Sequence, residues 1–329
     1  MLDRRTALAG LGIGVAGPAF GQGLAPAAVG SPLSGSADPV EMIDLWPGLP
    51  PGAPSPLPAE QIVERSADPA FPDRIMRAIA RPRMAVFRPA QPNGAAVLIT
   101  PGGGYSHVVI DKEGYEMGRW LSARGFTAFV LFYRLPHEGW AAGPDTPLSD
   151  AQRAMRLLRH RHAEFGIDPA RIASMGFSAG GHVCADLATR FAAHTYAPVD
   201  AADALSARPF AAAPIYPVIS MRAGIAHPGS RERLIGAAPP AAREMAHSPD
   251  QQVPADAPFF FILHAEDDDV VPVENALMLR TALKAQGIAV ETHLYDRGGH
   301  GFGLRRAAGK PVAAWPEQWL AWARAIGLA

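Results

Sequence analysis

The order of hydrophobic and polar positions predicts strands and helices that alternate along the chain. Short apolar runs bounded by Gly or Pro are typical of strands covered on both faces of a mainly parallel sheet. One such run lies at 95–99, and further strands are predicted at 83–87, 126–133, 171–175, 258–264 and 288–295. Apolar residues at helical spacing predict helices over 113–124, 151–164, 276–284 and 315–327, and a further helix that opens at Ala179. Asp150 is the predicted N-cap of the 151–164 helix. The alternation predicts a doubly wound α/β fold with helices on both faces of the sheet.

Two N-terminal segments depart from this pattern. Residues 1–23 place Arg4 and Arg5 before an apolar, Gly-rich run that is shorter than the roughly 20 residues needed to span a bilayer. We expect a removed, twin-arginine-like export signal, cut near residues 21–23, and a periplasmic or secreted protein without a membrane anchor. The general secretory route and a cytosolic protein with a basic start are the alternatives. Residues 24–60 are rich in Pro and Gly and are predicted to lie extended over the surface of a domain formed by 61–329.

Composition narrows the function classes. Hydrophobic residues make up 48% of the chain, charged residues 19%, and the net charge is -1. This balance excludes a disordered chain and a basic nucleic-acid surface, and it favours a small-molecule partner. The single cysteine, Cys184, excludes an intramolecular disulfide and any multi-thiolate metal site. We interpret it as a buried helix residue.

The segment Gly176-Phe177-Ser178-Ala179-Gly180 has the Gly-x-Ser-x-Gly form of a nucleophile elbow, and it stands where a predicted strand ends and a helix begins. The sharp turn needs small neighbours, which explains the two glycines, and it exposes the hydroxyl of Ser178. The helix start adds free amides and a partial positive charge that favour an oxyanion. Ser178 is therefore the predicted nucleophile.

A serine nucleophile requires a base and an acid that orients the base. His300 is the predicted base because it alone among the histidines stands in a glycine-flanked loop after the last strand; His182, His264 and His293 are interpreted as structural. The acid must come from a run of four carboxylates, 266–269, whose alternative interpretation is a solvated charge cluster. Asp268 is preferred, with Asp267 in reserve. The order Ser, acid, His is that of α/β-hydrolases.

The glycine run in Pro101-Gly102-Gly103-Gly104-Tyr105 follows an apolar strand, so backbone amides there can approach a substrate oxygen. A phosphate-binding loop is disfavoured because the Lys-Ser/Thr ending is missing. A purely structural turn is the other alternative.

Several of these segments together resemble bacterial α/β-hydrolases related to acetyl xylan esterases and feruloyl-esterase-like enzymes. The matching stretches are Leu45-Trp-Pro-Gly48, 101–105, Glu113-Gly114, 133–136, 150–154, 176–182, 264–272 and 298–302. The resemblance implies a triad of Ser178, Asp268 and His300. It also implies an oxyanion hole formed by the amides of Ala179 and of Gly103 or Gly104, and no metal or organic cofactor.

The expected function is hydrolysis of carboxylic esters through an acyl-enzyme, with O-acetyl groups of xylan or other plant polysaccharide fragments as the substrate. A feruloyl or short-chain carboxylesterase, an oligopeptidase-like hydrolase and a non-catalytic carbohydrate-binding relative remain alternatives. Side chains that could face a sugar, with packing as the alternative, are Trp46, Tyr105, His107 and Trp140.

Overall fold

A mostly parallel sheet of eight strands runs through the protein. The computed structural model describes residues 38–39 and 41–329, so the predicted export signal lies outside the described residues. The strands are β1 (Met42–Asp44), β2 (Gln61–Glu64), β3 (Arg74–Arg77), β4 (Arg83–Phe87), β5 (Ala96–Thr100), β6 (Val108–Val109), β7 (Thr127–Phe132), β8 (Ile172–Phe177), β9 (Ala211–Ile215), β10 (Phe259–Ala265) and β11 (Val290–Tyr295). The main sheet has the order β1-β4-β7-β5-β8-β9-β10-β11. Its first three strands pair antiparallel and the others pair parallel.

The α-helices connect these strands. They are α1 (Glu116–Ser122), α2 (Thr146–His160), α3 (His162–Phe165), α4 (Ala179–Thr189), α5 (Pro228–Ile235), α6 (Ala241–Ala246), α7 (Glu274–Ala285) and α8 (Trp315–Ala325). A π-helical turn, Asp111–Tyr115, leads into α1. Among the described residues, no helix is both long and apolar enough to cross a membrane.

Strand β10 shows how the sheet is covered on both faces. Successive side chains of a strand point to opposite faces. Phe260 and Ile262 pack in one cluster with Leu279 of α7, while Phe261 packs in another and contacts the ring of Trp322 of α8 at 5.4 Å. Both faces are therefore apolar, which is why the strand appears in the sequence as a continuous apolar run.

The predicted strands and most predicted helices are confirmed within a few residues, but the predicted helix 151–164 is wrong in two respects. α2 begins at Thr146, so Asp150 is inside the helix and is not its N-cap, and the helix is broken at Arg161 before α3. Asp150 is fully buried and accepts hydrogen bonds from the side chains of Arg134 and Trp46. A polar side chain that resembled a cap is thus part of a buried ion pair.

Sequence patterns missed β9, which lies in the centre of the sheet. Its sequence, Ala-Ala-Ala-Pro-Ile, lacks the large β-formers, and proline usually excludes a central strand because it has no N–H to donate. Pro214 has no register partner in the pairing with β10, and it lies opposite Gly176 in the pairing with β8, so the missing donor affects at most one position of the strand. Tertiary burial between two long strands outweighs the local preference.

A small antiparallel sheet, β2-β3-β6, was also not predicted. β6 follows the glycine run at 102–104, and β3 pairs with it through Ile75 and Met76. The β2–β3 hairpin is thereby held beside the carboxyl end of β5, next to the predicted nucleophile loop.

Candidate active site

Ser178 occupies a strained turn between β8 and α4. Its φ of 53° and ψ of -120° lie in a region that a residue with a Cβ rarely adopts, at a cost of roughly 1–3 kcal/mol. The glycines on either side make the turn possible. A Cβ on Gly176 would lie 2.2 Å from the carbonyl oxygen of Gly180, and one on Gly180 would lie 2.0 Å from that of Thr100. The glycines of the motif are therefore required by close backbone contacts.

The structure brings the three residues of the predicted triad into one hydrogen-bonded chain. Ser178 Oγ lies 2.8 Å from His300 Nε2, and His300 Nδ1 lies 2.7 Å from Asp268 Oδ2. Because the carboxylate can only accept, Nδ1 carries the proton and Nε2 is free to accept from the serine hydroxyl. These residues follow β8, β10 and β11, whose carboxyl ends meet at one edge of the sheet.

The adjacent carboxylates Asp267 and Asp268 have different contacts. Asp268 is buried, and it also accepts from the amides of Val270 and Val271 and lies 3.2 Å from His264 Nε2. Asp267 instead accepts from the amides of Gly298 and Gly299, so it holds the loop that carries His300 without touching the imidazole.

Hydrogen bonds keep Asp268 ionised although it is buried. Burial by itself raises the pKa of a carboxyl group, but the hydrogen bonds from His264 and His300 outweigh this effect and hold the pKa of Asp268 well below its ordinary value. His264 Nε2 donates to the carbonyl of Val271 at 2.9 Å as well, which fixes its orientation. His264 thus helps to hold the Asp268 carboxylate in place.

The residues implied for the oxyanion hole lie beside Ser178. The first-turn amides of a helix have no intrahelical acceptor, and Ala179, the next residue, begins α4. Gly103 and Gly104 adopt φ values of 138° and 60°, and both line the same cavity as Ser178. The glycine loop and the start of α4 are therefore both adjacent to the serine.

Glu113, which sequence reasoning did not select as a site residue, anchors this loop. It is 2% exposed, and its Oε2 accepts from the amide of Gly102 at 2.9 Å. Tyr216 Oη donates to Glu113 Oε1 and accepts from the amide of Gly303, each at 3.1 Å. The Tyr216 ring also contacts the His300 ring at 5.2 Å. One buried carboxylate therefore links the glycine loop to the histidine loop. The matched Glu113-Gly114 stretch was the only sequence signal for it.

A cavity of about 250 Å³ opens above Ser178. Its lining residues are Arg65, Gly103, Gly104, Ser106, His107, Val109, Lys112, Glu113, Ser178, His227, Arg233, Val270, His300 and Gly301. His107, one of the residues that the sequence suggested could face a sugar, is among these lining residues. The sequence analysis did not select His227, because the amphipathic pattern of α5, whose N-terminus it caps, is weak. His227 Nδ1 accepts from the amide of Ser230, so Nε2 carries the proton in the neutral ring.

The structure contradicts the prediction that Tyr105, Trp140 and Trp46 contact a sugar. Tyr105 is 1% exposed and donates to His182 Nδ1 at 2.7 Å, while Trp140 is 3% exposed and packs against the Arg134 guanidinium at 4.6 Å. Trp46 is also buried. These rings are part of the core beneath the loops, so they cannot contact a ligand in the cavity. In the described part of the chain, no group of three or more His, Cys, Asp or Glu residues is arranged to hold a metal ion.

The sheet order, the strained serine turn and the Ser, Asp, His order define an α/β-hydrolase fold. The chain belongs to the BD-FAE family, whose profile matches residues 84–283.

Individual relatives agree with this assignment. An acetylxylan esterase of Xylanibacter ruminicola is 32% identical over 227 residues, which are 68% of this chain and 44% of the relative. An endo-1,4-beta-xylanase B of Butyrivibrio fibrisolvens is 35% identical over 62% of this chain and 32% of its own length. The chain thus spans less than half of these two relatives. A solved structure, an acetyl ester-xyloside bifunctional hydrolase from Caldicellulosiruptor lactoaceticus, superposes with a TM-score of 0.72, 32% identity, and coverage of 90% of this chain and 99% of that one.

Proposed function

We propose that this protein is a serine esterase that removes O-acetyl groups from xylan or other plant polysaccharide fragments. The observation that carries the proposal is the hydrogen-bonded chain of Ser178, His300 and Asp268 at a cavity that Gly103 and Gly104 also line. The arrangement has a nucleophile, a base with the correct tautomer and an ionised acid within direct contact.

The reaction proceeds in two acyl transfers. Ser178 Oγ attacks the ester carbonyl while His300 Nε2 takes its proton, and the amides of Ala179 and of Gly103 or Gly104 stabilise the oxyanion. His300 then gives the proton to the departing alcohol oxygen. A water molecule, deprotonated by His300, attacks the acetyl-serine, and collapse of the second oxyanion releases acetate and restores the serine hydroxyl. Asp268 orients the imidazole and stabilises its charged form.

The relatives favour an acetyl group as the acyl half. Relatives named as an acetylxylan esterase and an acetyl ester-xyloside hydrolase support the same substrate class.

The test is active-site labelling followed by a comparison of substrates. A fluorophosphonate probe should label the wild type and leave Ser178→Ala unlabelled, and the substitution should lower kcat on 4-nitrophenyl acetate by at least about 10⁴-fold. Acetate release from acetylated xylan should exceed ferulate release from feruloylated xylan. An unlabelled but folded wild type would contradict an esterase, and equal rates on all esters would contradict a deacetylase.

We also propose that the chain is exported through its N-terminal segment. Residues 4–5 form the arginine pair on which the twin-arginine route depends. Replacing both with lysine should retain the full-length protein in the cytoplasm of a bacterial host, whereas the wild type should reach the periplasm. Export of the double variant would favour the general secretory route, and a cytoplasmic wild type would contradict export.

A further inference from the structure

The cavity above Ser178 is lined by more positive than negative charge. Arg65, Lys112 and Arg233 line it, and Glu113 is the one carboxylate among its lining residues. Glu113 offsets this charge only in part: its charge favours the charged form of Lys112, while its oxygens accept from the amide of Gly102 and the hydroxyl of Tyr216. The lining therefore carries three cations and one carboxylate, which leaves an excess of positive charge.

Two of these cations have no carboxylate partner. Arg65 forms an ion pair with Asp73 at 2.8 Å, but within the described residues neither Lys112 nor Arg233 lies within ion-pair distance of an acidic side chain. Arg233 Nη1 donates to the carbonyl of Gly229. Lys112 is half-buried, and that burial lowers its pKa from the ordinary value. A partly desolvated cation that forms no direct ion pair costs free energy, part of which a negatively charged ligand would recover.

The cations of the cavity also lower the pKa values of its two other histidines, His107 and His227. Burial, together with the charges of Arg65, Arg77, Lys112 and Arg233, lowers the pKa of His107 to about 4. Burial and the neighbouring His300 and Arg233 also lower the pKa of His227. Both rings are therefore neutral near pH 7, and the positive charge of the cavity comes from Arg65, Lys112 and Arg233.

The position of Lys112 shows which half of an ester would meet it. Lys112 Nζ lies 3.4 Å from the point that a Cβ on Gly301 would occupy, directly beside His300. In acyl transfer, the base that activates the serine also protonates the departing alcohol, so the alcohol half of the ester lies on the His300 side. Lys112 is consequently placed beside the alcohol half of the ester.

We infer that the alcohol half of the substrate carries a carboxylate, so that the preferred substrates are acetyl esters of sugar acids. Lys112 binds the carboxylate most directly, and Arg233 and Arg65 add to the attraction. This inference rests on the proposed esterase function and narrows its substrate from polysaccharide esters in general to acidic ones.

A matched pair of substrates tests the inference. Mono-O-acetylated methyl glucuronoside and mono-O-acetylated methyl glucoside differ only in a carboxylate against a hydroxymethyl group. At low salt and pH 7, kcat/KM of the wild type should be about tenfold higher for the acidic ester. The ratio of the two kcat/KM values should decline as sodium chloride is raised to about 0.5 M, because salt screens exposed charges.

Variants then assign the effect to residues. Lys112→Gln and Arg233→Gln should each lower the ratio about threefold to fivefold, as expected for one partly exposed charge pair. Lys284→Gln is the matched control, since it removes a cation from the exposed last turn of α7, away from the cavity. Its ratio should equal that of the wild type.

The outcomes separate this inference from the proposed function. A wild-type ratio at or below one would overturn the preference for acidic esters, and so would a ratio that neither cavity variant changes. In both cases, turnover of the neutral ester would still support the esterase function. Absence of turnover on both esters together with absence of fluorophosphonate labelling would overturn both.

Discussion

His300 Nδ1 lies 2.7 Å from Asp268 Oδ2, whereas the neighbouring Asp267 binds the amides of Gly298 and Gly299 in the loop that carries the same histidine. Two consecutive carboxylates thus hold one imidazole in different ways. Asp268 fixes its tautomer and orientation, and Asp267 fixes the course of its backbone.

This difference predicts unequal effects of two isosteric substitutions. Asp268→Asn should lower kcat on 4-nitrophenyl acetate about 10⁴-fold, because an amide in this position favours the wrong imidazole tautomer. Asp267→Asn is the matched control with the same loss of charge. Its remaining carbonyl oxygen can still accept from the loop amides, so kcat should fall less than about tenfold. The reverse ranking would assign the role of the acid to Asp267.

Glu113 is predicted to position the glycine loop. In Glu113→Gln the amide nitrogen replaces one acceptor oxygen, so either the amide of Gly102 or the hydroxyl of Tyr216 loses its partner. We expect kcat to fall about tenfold through displaced oxyanion donors, with a smaller change in KM. Steady-state kinetics with an acetyl ester would measure this split.

A charge-matched control for Glu113 lies one helical turn further along the chain. Glu116→Gln removes a carboxylate that pairs with Arg305 at 2.7 Å and has no contact with the glycine loop. Both variants should be compared in thermal unfolding. If kcat of Glu113→Gln matched that of Glu116→Gln, the positioning role would be refuted.

The buried ion pair of Asp150 and Arg134 predicts a large effect on stability. Both side chains are at most 1% exposed, and Asp150→Ala would leave the guanidinium buried without its partner and free the indole N–H of Trp46. The free energy of unfolding, measured with urea, should fall by about 3–5 kcal/mol. Asp44→Ala, which breaks an exposed pair with Arg81, should cost less than about 1 kcal/mol. Similar losses in both variants would contradict this account.

His107 predicts a specific dependence of stability on pH. Its pKa is about 4 in the folded protein against an ordinary value of 6.5, mainly because of burial. Between these pH values the unfolded chain binds a proton that the folded protein does not, so stability falls as pH is lowered through this window. The slope from this residue is at most about 1.4 kcal/mol per pH unit, and solvent screening reduces it.

His107→Gln should therefore lose less stability than the wild type between pH 6.5 and 4. Urea unfolding at several pH values across this window would measure the difference. Parallel curves for the two proteins would show that His107 does not contribute.

The main elements of the fold follow from local patterns. Predominantly apolar runs predicted β5, β7, β8 and β10, because a strand covered on both faces must be apolar at nearly every position. The edge strand β11 and the strand β4 were predicted from shorter apolar stretches. The position of Ser178 follows from the two glycines, since only small residues fit a turn in which strand and helix backbones approach within contact distance. The glycine-flanked loop of His300 is a local feature of the same kind.

Only the tertiary structure decided the features that depend on distant partners. The sequence predicted Asp150 as a helix cap, whereas in the folded protein it accepts hydrogen bonds from Arg134 and Trp46, which are distant in sequence. Pro214 is unfavourable in an interior strand, but β9 is held in the sheet between β8 and β10. The contact of Asp268 with His300 depends on how two loops meet, which four adjacent carboxylates could not reveal. The charge of the cavity likewise arises from a hairpin, a π-helical turn and α5, which are separated along the chain and come together only when the protein folds.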